Sequence, residues 1–246
     1  MSSDRRVAGR EQNSAVPRAG IRSRHVVSLA PAALLCAVSW IVVCPRSAQA
    51  YCRESLEAQS QGACIDDPTA VDLFWNRSCL TQTFNNAIFT RLSPNLTETE
   101  ARAAFKASFQ AWADVPCGKS PPFLVVQASG VTATSVSEFL YDVPNESIVV
   151  LRTQSEWASL SDHDSNAIAL TLLWHDKHTG EILDVDMELN GGAGKFADCE
   201  QQKCGNNNID LQNTVTHEAG HLLGLAHSTV PGSTMQASTS SCPETS

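Results

Sequence analysis

Residues 217–227 read His217-Glu218-Ala219-Gly220-His221-Leu222-Leu223-Gly224-Leu225-Ala226-His227, and the rest of the chain is best read outward from them. His217 and His221 are four residues apart, so on a helix their imidazoles lie on one face, one turn apart. Two imidazoles so placed can hold one Zn²⁺ at about 2.0–2.1 Å. Gly224 permits a positive φ, which ends the helix and lets the chain turn back with His227 as third ligand. Three His ligands leave a fourth tetrahedral position for water, as a catalytic zinc requires. Glu218 neighbours the first ligand without binding metal, and fits a general base for zinc-activated water. At this chain's own His, Glu and Gly frequencies a chance match to the five specified positions is on the order of 10⁻⁵.

Upstream, Asp210 is a fair N-cap for a helix over Leu211–Leu223. A first helix is expected over 97–113, where Thr97 and Glu100 form a capping box. Ala101, Ala104, Phe105, Ser108, Phe109 and Trp112 share one face of it, a core-packing pattern, and Pro116 stops it. Strands are expected at Phe123–Ala128, Ser147–Thr153, Ala167–His175 and Glu181–Asn190, with Leu73-Phe74-Trp75 beginning a first one. His178-Thr179-Gly180 is a plausible hairpin turn between the last two. In 181–190, Leu183, Val185, Met187 and Leu189 alternate with Asp184, Asp186 and Glu188, which reads as a core face and a solvated face. One sheet and two long helices make an α/β (α+β) domain.

The chain has 246 residues, 42% hydrophobic and 17% charged, enough to bury a core and too apolar for disorder. Residues 1–50 carry seven Arg against Asp4 and Glu11, a net +5; the remaining 196 residues net −14. So acidic a body excludes nucleic acid and anionic membrane as natural partners. The Arg-rich leader, the apolar run Val26–Val43 and Ala48-Gln49-Ala50 read as a secretory signal cleaved after Ala50. The competing expectation is an uncleaved anchor through residues 26–43. Residues 51–70 then form an N-terminal extension and 71–246 the domain.

Export makes the cysteines disulfide candidates. Neighbouring pairs would be Cys52–Cys64, Cys79–Cys117 and Cys199–Cys204, with other pairings open and Cys242 left over.

The run from His217 to His227 resembles the metzincin zinc signature, H-E-x-x-H-x-x-G-x-x-H followed by a Met-turn. The resemblance implies His217, His221 and His227 as zinc ligands, Glu218 as general base, and Met235 as the apolar floor under the metal. Ser228 after the third His is similar to the matrixin branch, and Gly180–Asp186 to a stretch of secreted bacterial matrixin-like proteins. The implied fold is a twisted, mostly parallel sheet with two long helices. The implied function is a secreted, monomeric zinc endopeptidase acting on extended polypeptide, which pairs with the strand at Ala167–His175 as an added strand. Trp157 and Trp174 are expected near that strand.

Three features depart from the family pattern. No Pro-Arg-Cys-Gly cysteine switch is present. Only eleven residues follow Met235, so the chain looks truncated before the family's C-terminal helix. That makes an inactive zinc-bound, peptide-binding domain the alternative function. The family's structural zinc and calcium sites are not evident. His163, Asp164, His175, Asp176 and His178 could hold a second metal, with a polar loop and hairpin rim as the plainer expectation. Asp184, Asp186 and Glu188 are candidates for Ca²⁺, with a solvated strand face as the plainer expectation.

Overall fold

Short strands, some alternating as in 182–190 and some continuously apolar as in 148–151, build one sheet, and apolar residues at helical spacing cover one side of it. The computed structural model describes residues 52–57, 69–92, 95–115, 125–140, 144–199 and 208–237. The leader at 1–50, its cleavage site and the anchor at 26–43 lie outside the described residues, as do Pro116, Cys64, Cys117, Cys204 and Cys242. Among the described residues no helix is long and apolar enough to cross a membrane.

In chain order the elements are β1 (Cys52–Arg53), β2 (Cys79–Asn85), α1 (Ile88–Leu92), α2 (Glu98–Ala113), β3 (Val125–Thr132), β4 (Ile148–Arg152), α3 (Gln154–Ser159), β5 (Ala169–His175), β6 (Ile182–Asn190), β7 (Lys195–Ala197), β8 (Asn208–Asp210), α4 (Leu211–Leu222) and β9 (Leu225–Ala226). Five strands form the sheet in the order β3-β2-β4-β6-β5. All neighbours are parallel except β5, which runs antiparallel to β6 at one edge. Two further pairs, β1 with β9 and β7 with β8, are small separate ribbons.

The parallel β2–β3 pair needs a crossover, and α1 with α2 supplies it. α2 starts at the expected capping box: Glu100 N–H donates to the Thr97 side chain, and the Thr97 N–H donates to Glu100 Oε2 at 2.7 Å. α2 and α4 lie against the same sheet face. Phe84, Phe105, Phe109, Val185, Met187, Leu189, Val215 and Leu222 form the core between them. Two polar bonds stitch the helices together: Ser108 Oγ donates to Gln212 O at 2.9 Å, and Trp112 Nε1 to Thr216 O at 2.7 Å. The two long helices, the hairpin of β5 and β6 and the mostly parallel sheet agree with the sequence-based expectation. Asp176 Oδ1 accepts from the backbone N–H groups of His178 and Thr179 at 2.8 Å, and Gly180, at φ 77°, closes that hairpin turn.

Four expectations need correction. Leu73-Phe74-Trp75 does not begin a sheet strand; Phe74 makes an isolated bridge to Glu181. The strand is instead β2, where Leu80, Gln82 and Phe84 face inward. β3 extends to Thr132 rather than ending at Ala128. The acidic side of β6 is not solvated, since Asp184, Asp186 and Glu188 are each 1–2% exposed. Its cover comes from elsewhere in the chain. Ser147 Oγ donates to Asp184, the Ile148 N–H donates to Asp186 Oδ1 at 2.8 Å, and Arg152 forks both Glu188 oxygens at 2.6 and 2.9 Å. Lastly, Cys79 is an exposed free thiol at the first residue of β2, so the expected Cys79–Cys117 bridge is not formed. Cys52 and Cys199 are each disulfide-bonded, to partners outside the described residues.

Candidate metal centre

α4 carries the centre because its two ends are fixed. At the start, the Asp210 side chain accepts from Asn213 N–H at 3.0 Å. At the end, Leu223 is the C-cap, and Gly224 follows with φ 85°, a left-handed conformation that glycine adopts without strain. A Cβ there would also stand 3.1 Å from the Leu73 carbonyl oxygen. The chain reverses through this glycine, runs two extended residues in β9, and reaches His227.

His217, His221 and His227 come together as the sequence implies. One nitrogen from each lies within 4.8 Å of the others, close enough to hold a metal ion. The ring centroids are 4.9, 5.3 and 5.0 Å apart, and each residue is buried. His217 Nδ1 bonds to Thr234 O at 2.7 Å and His221 Nδ1 to Leu225 O at 2.7 Å. A carbonyl only accepts, so both Nδ1 atoms carry hydrogen and a neutral ring keeps its lone pair on Nε2. Those two Nε2 atoms face each other at 3.1 Å. Two lone pairs at that distance repel unless a cation lies between them, and nitrogens sharing one tetrahedral zinc stand about 3.3–3.4 Å apart. The residues therefore fit a zinc ion.

Met235 follows the third imidazole by eight residues. It is 3% exposed and lies against Gly220, whose added Cβ would meet Met235 Sδ at 2.1 Å and Trp112 Cζ2 at 2.9 Å. The Ser228 N–H donates to Met235 O at 2.6 Å, which folds the segment after His227 back so that Thr234 O meets His217.

Glu218 is buried beside the imidazoles. Thr171 Oγ1, at 3% exposure on β5, lies 2.6 Å from Glu218 Oε2 and 3.3 Å from Glu218 O. Thr171 was not singled out from sequence; the one signal was a lone hydroxyl inside the apolar run Ala167–Trp174. β5 forms one edge of the sheet, with β6 as its neighbour. Trp157 and Trp174 sit with Leu170 and Leu172 in a second, smaller apolar cluster.

The residues considered for a second metal do not assemble into one. Among the described residues, the three imidazoles are the one group of three or more His, Cys, Asp or Glu side chains that could share an ion. His163 instead lies with Nε2 2.9 Å from Glu188 Oε2, its ring edge-on to Trp157 at 4.4 Å. Asp164 Oδ1 accepts from the Asn166 N–H at 2.8 Å, and Asp176 is spent on the hairpin turn. The polar-rim reading fits Asp164, Asp176 and His178, which lie in the loop and the hairpin turn, but not His163, whose side chain is 3% exposed between Trp157 and Glu188.

The acidic side of β6 is electrostatically uneven. Burial drives Asp186 up to about 8; the Ile148 N–H opposes this, and Asp184 and Glu188 add to it. Burial likewise raises Asp184, against the bond from Ser147. Burial acts upward on Glu188 too, but bonds from Arg152, His163 and Ser137 outweigh it and bring the group to about 2.

Compared with known proteins, residues 130–246 match the family model of the matrixins, a metallopeptidase family. No curated protein matches significantly. Over residues 130–246 the chain is similar to the matrixins, and the mostly parallel sheet, its antiparallel edge strand and the histidine-bearing helix and turn agree with a matrixin-like metzincin fold.

Proposed function

We propose that this protein is a secreted zinc endopeptidase, released by cleavage after Ala50, with His217, His221 and His227 as zinc ligands and Glu218 as general base. The observation that carries the reading is the pair of Nε2 atoms facing each other at 3.1 Å, with both Nδ1 atoms committed to carbonyls. Zinc held there would supply Lewis acidity toward the scissile carbonyl and the attacking water. Glu218, buried next to His217, takes the proton of that water and passes it to the leaving amine. Thr171 holds the Glu218 carboxylate in one orientation. The open edge of β5 offers main-chain groups to an extended polypeptide, which adds to the sheet as a further strand. Met235 packs against Gly220 of the helix and so keeps the helix and the returning segment in register.

The test is zinc content together with cleavage of an unstructured protein by the exported chain, beside Glu218→Ala. One zinc per chain, with cleavage lost on chelation and in the variant, is the expected result. Zinc binding without cleavage would favour a peptide-binding domain that performs no turnover. Absence of zinc binding would sink both readings.

A further inference from the structure

β1, the two-residue strand Cys52–Arg53, lies far from the histidine helix in sequence. It pairs antiparallel with β9, Cys52 opposite Ala226 and Arg53 opposite Leu225. β9 is the link between Gly224 and His227. The Leu225 carbonyl in it orients His221. One short strand thus sets two of the three imidazoles, directly for His227 and through a carbonyl for His221.

The surrounding segment closes the same turn. The Glu54 N–H donates to Gly224 O at 2.9 Å, and the Leu73 N–H donates to Glu54 O at 2.8 Å. Trp75 Nε1 donates to Leu222 O at 2.7 Å. An Arg53 guanidinium nitrogen donates to Leu73 O. A helix end leaves its last carbonyls without intrahelical partners. Here Leu222 O, Gly224 O and Leu225 O are taken by Trp75, Glu54 and His221. A two-residue strand does not hold its own shape, so β9 keeps its path only while β1 lies beside it. Cys52 ties the first residue of β1 by a disulfide.

Resting on the zinc reading above, we infer that the segment 52–54, with Trp75, is a positioning strap for the metal centre: it fixes the turn that delivers His227 and the carbonyl that orients His221. Groups that orient metal ligands from outside the ligand set are typically worth about 10–100-fold in metal affinity. The strap acts at this level without touching the metal.

The test uses the exported protein and three variants. Glu54→Pro removes the N–H given to Gly224 O; Glu54→Ala keeps it. Trp75→Phe removes the indole donor to Leu222 O and keeps most of the ring. Zinc affinity is measured by chelator competition, and the visible spectrum of the Co²⁺-substituted protein reports ligand geometry. Glu54→Pro is expected to weaken zinc binding about 10–100-fold and change the Co²⁺ bands. Trp75→Phe is expected to weaken it several-fold, and Glu54→Ala to stay within about twofold. Loss of thermal stability with zinc affinity and Co²⁺ bands unchanged would reduce the strap to ordinary packing and overturn the inference. Should Glu54→Pro not fold, Trp75→Phe decides by the same two readings. A wild-type protein that binds no zinc shows the parent reading to be wrong, and is told apart because it fails before any variant is compared.

Discussion

Thr171 Oγ1 donates a 2.6 Å hydrogen bond to Glu218 Oε2, so the edge strand of the sheet and the histidine helix are joined at the carboxylate. Both residues are buried, and a carboxylate in that setting is oriented by whatever donates to it. Thr171→Val keeps the shape and deletes the donor. The expected outcome is a fall in kcat of about 10–100-fold with KM changed far less, as for a misplaced catalytic group. Thr171→Ser keeps the hydroxyl and should restore most of the rate. Equal kcat in Thr171→Val and wild type would mean that Glu218 is held by other contacts.

Asp186 and Glu188 lie two residues apart on one strand, yet their contributions to stability run in opposite directions with pH. Glu188 is held at about 2 against an ordinary 4.5, so its stabilisation is full above pH 4.5 and is lost as pH falls toward 2. Asp186 stands at about 8 against 3.8, so the folded chain holds its proton more tightly than the unfolded one. Its contribution is full below about pH 3.8 and is lost as pH rises through 8. Asp186→Asn keeps an oxygen for the Ile148 N–H and cannot ionise. Melting temperatures from pH 4 to 8 should therefore show the variant gaining on the wild type as pH rises. A constant difference across that range would mean that Asp186 ionises normally.

Arg152 is the reason Glu188 tolerates burial, with side chains 13% and 2% exposed. It also binds Ser135 O and Ser137 Oγ, which ties the 133–140 segment to the sheet. Arg152→Ala leaves a buried carboxylate with His163 as its main remaining neighbour. Removing one partner of a buried pair costs about 3–5 kcal/mol. Denaturant unfolding should show that loss near pH 7. A loss under about 1 kcal/mol would indicate that water reaches Glu188 freely.

The three-histidine cluster was legible in the sequence because its spacing is specific: His217 and His221 stand one turn apart on a helix, and Gly224, at a positive φ, turns the chain back to His227. The long helices were legible through caps and the 3.6-residue period, and β5 and β6 through β-branched and apolar runs around a turn. What failed depended on distant partners. β2, reading Cys-Leu-Thr-Gln-Thr-Phe-Asn, is polar enough to pass for a loop until α2 and β3 cover it. The acidic side of β6 alternates like a half-exposed strand, and nothing local announces that Ser147, Arg152 and His163 close over it. β1 is two residues long, too short for any period, and its meaning comes from pairing with β9. Cys79 was paired by proximity in sequence, and the fold leaves it at an exposed strand end.

Gly220 has no room for a side chain, because Met235 and Trp112 fill the space a Cβ would take. The Met235 thioether can swing aside, being the flexible end of its side chain; the Trp112 ring is held by its bond to Thr216 O and cannot. Gly220→Ala is therefore expected to displace Met235 first, at a cost of about 1–3 kcal/mol from overpacking. The displacement matters for the centre because Met235 and Thr234 are adjacent, and Thr234 O orients His217. Met235→Ala alone should cost about 2–5 kcal/mol as a cavity in the core. In the double variant the new methyl occupies part of that cavity, so the combined loss should fall short of the sum by 0.5 kcal/mol or more, the size of coupling found between residues in contact. Denaturant unfolding of the four proteins in the cycle measures it, and strict additivity would show that Met235 does not pack on Gly220.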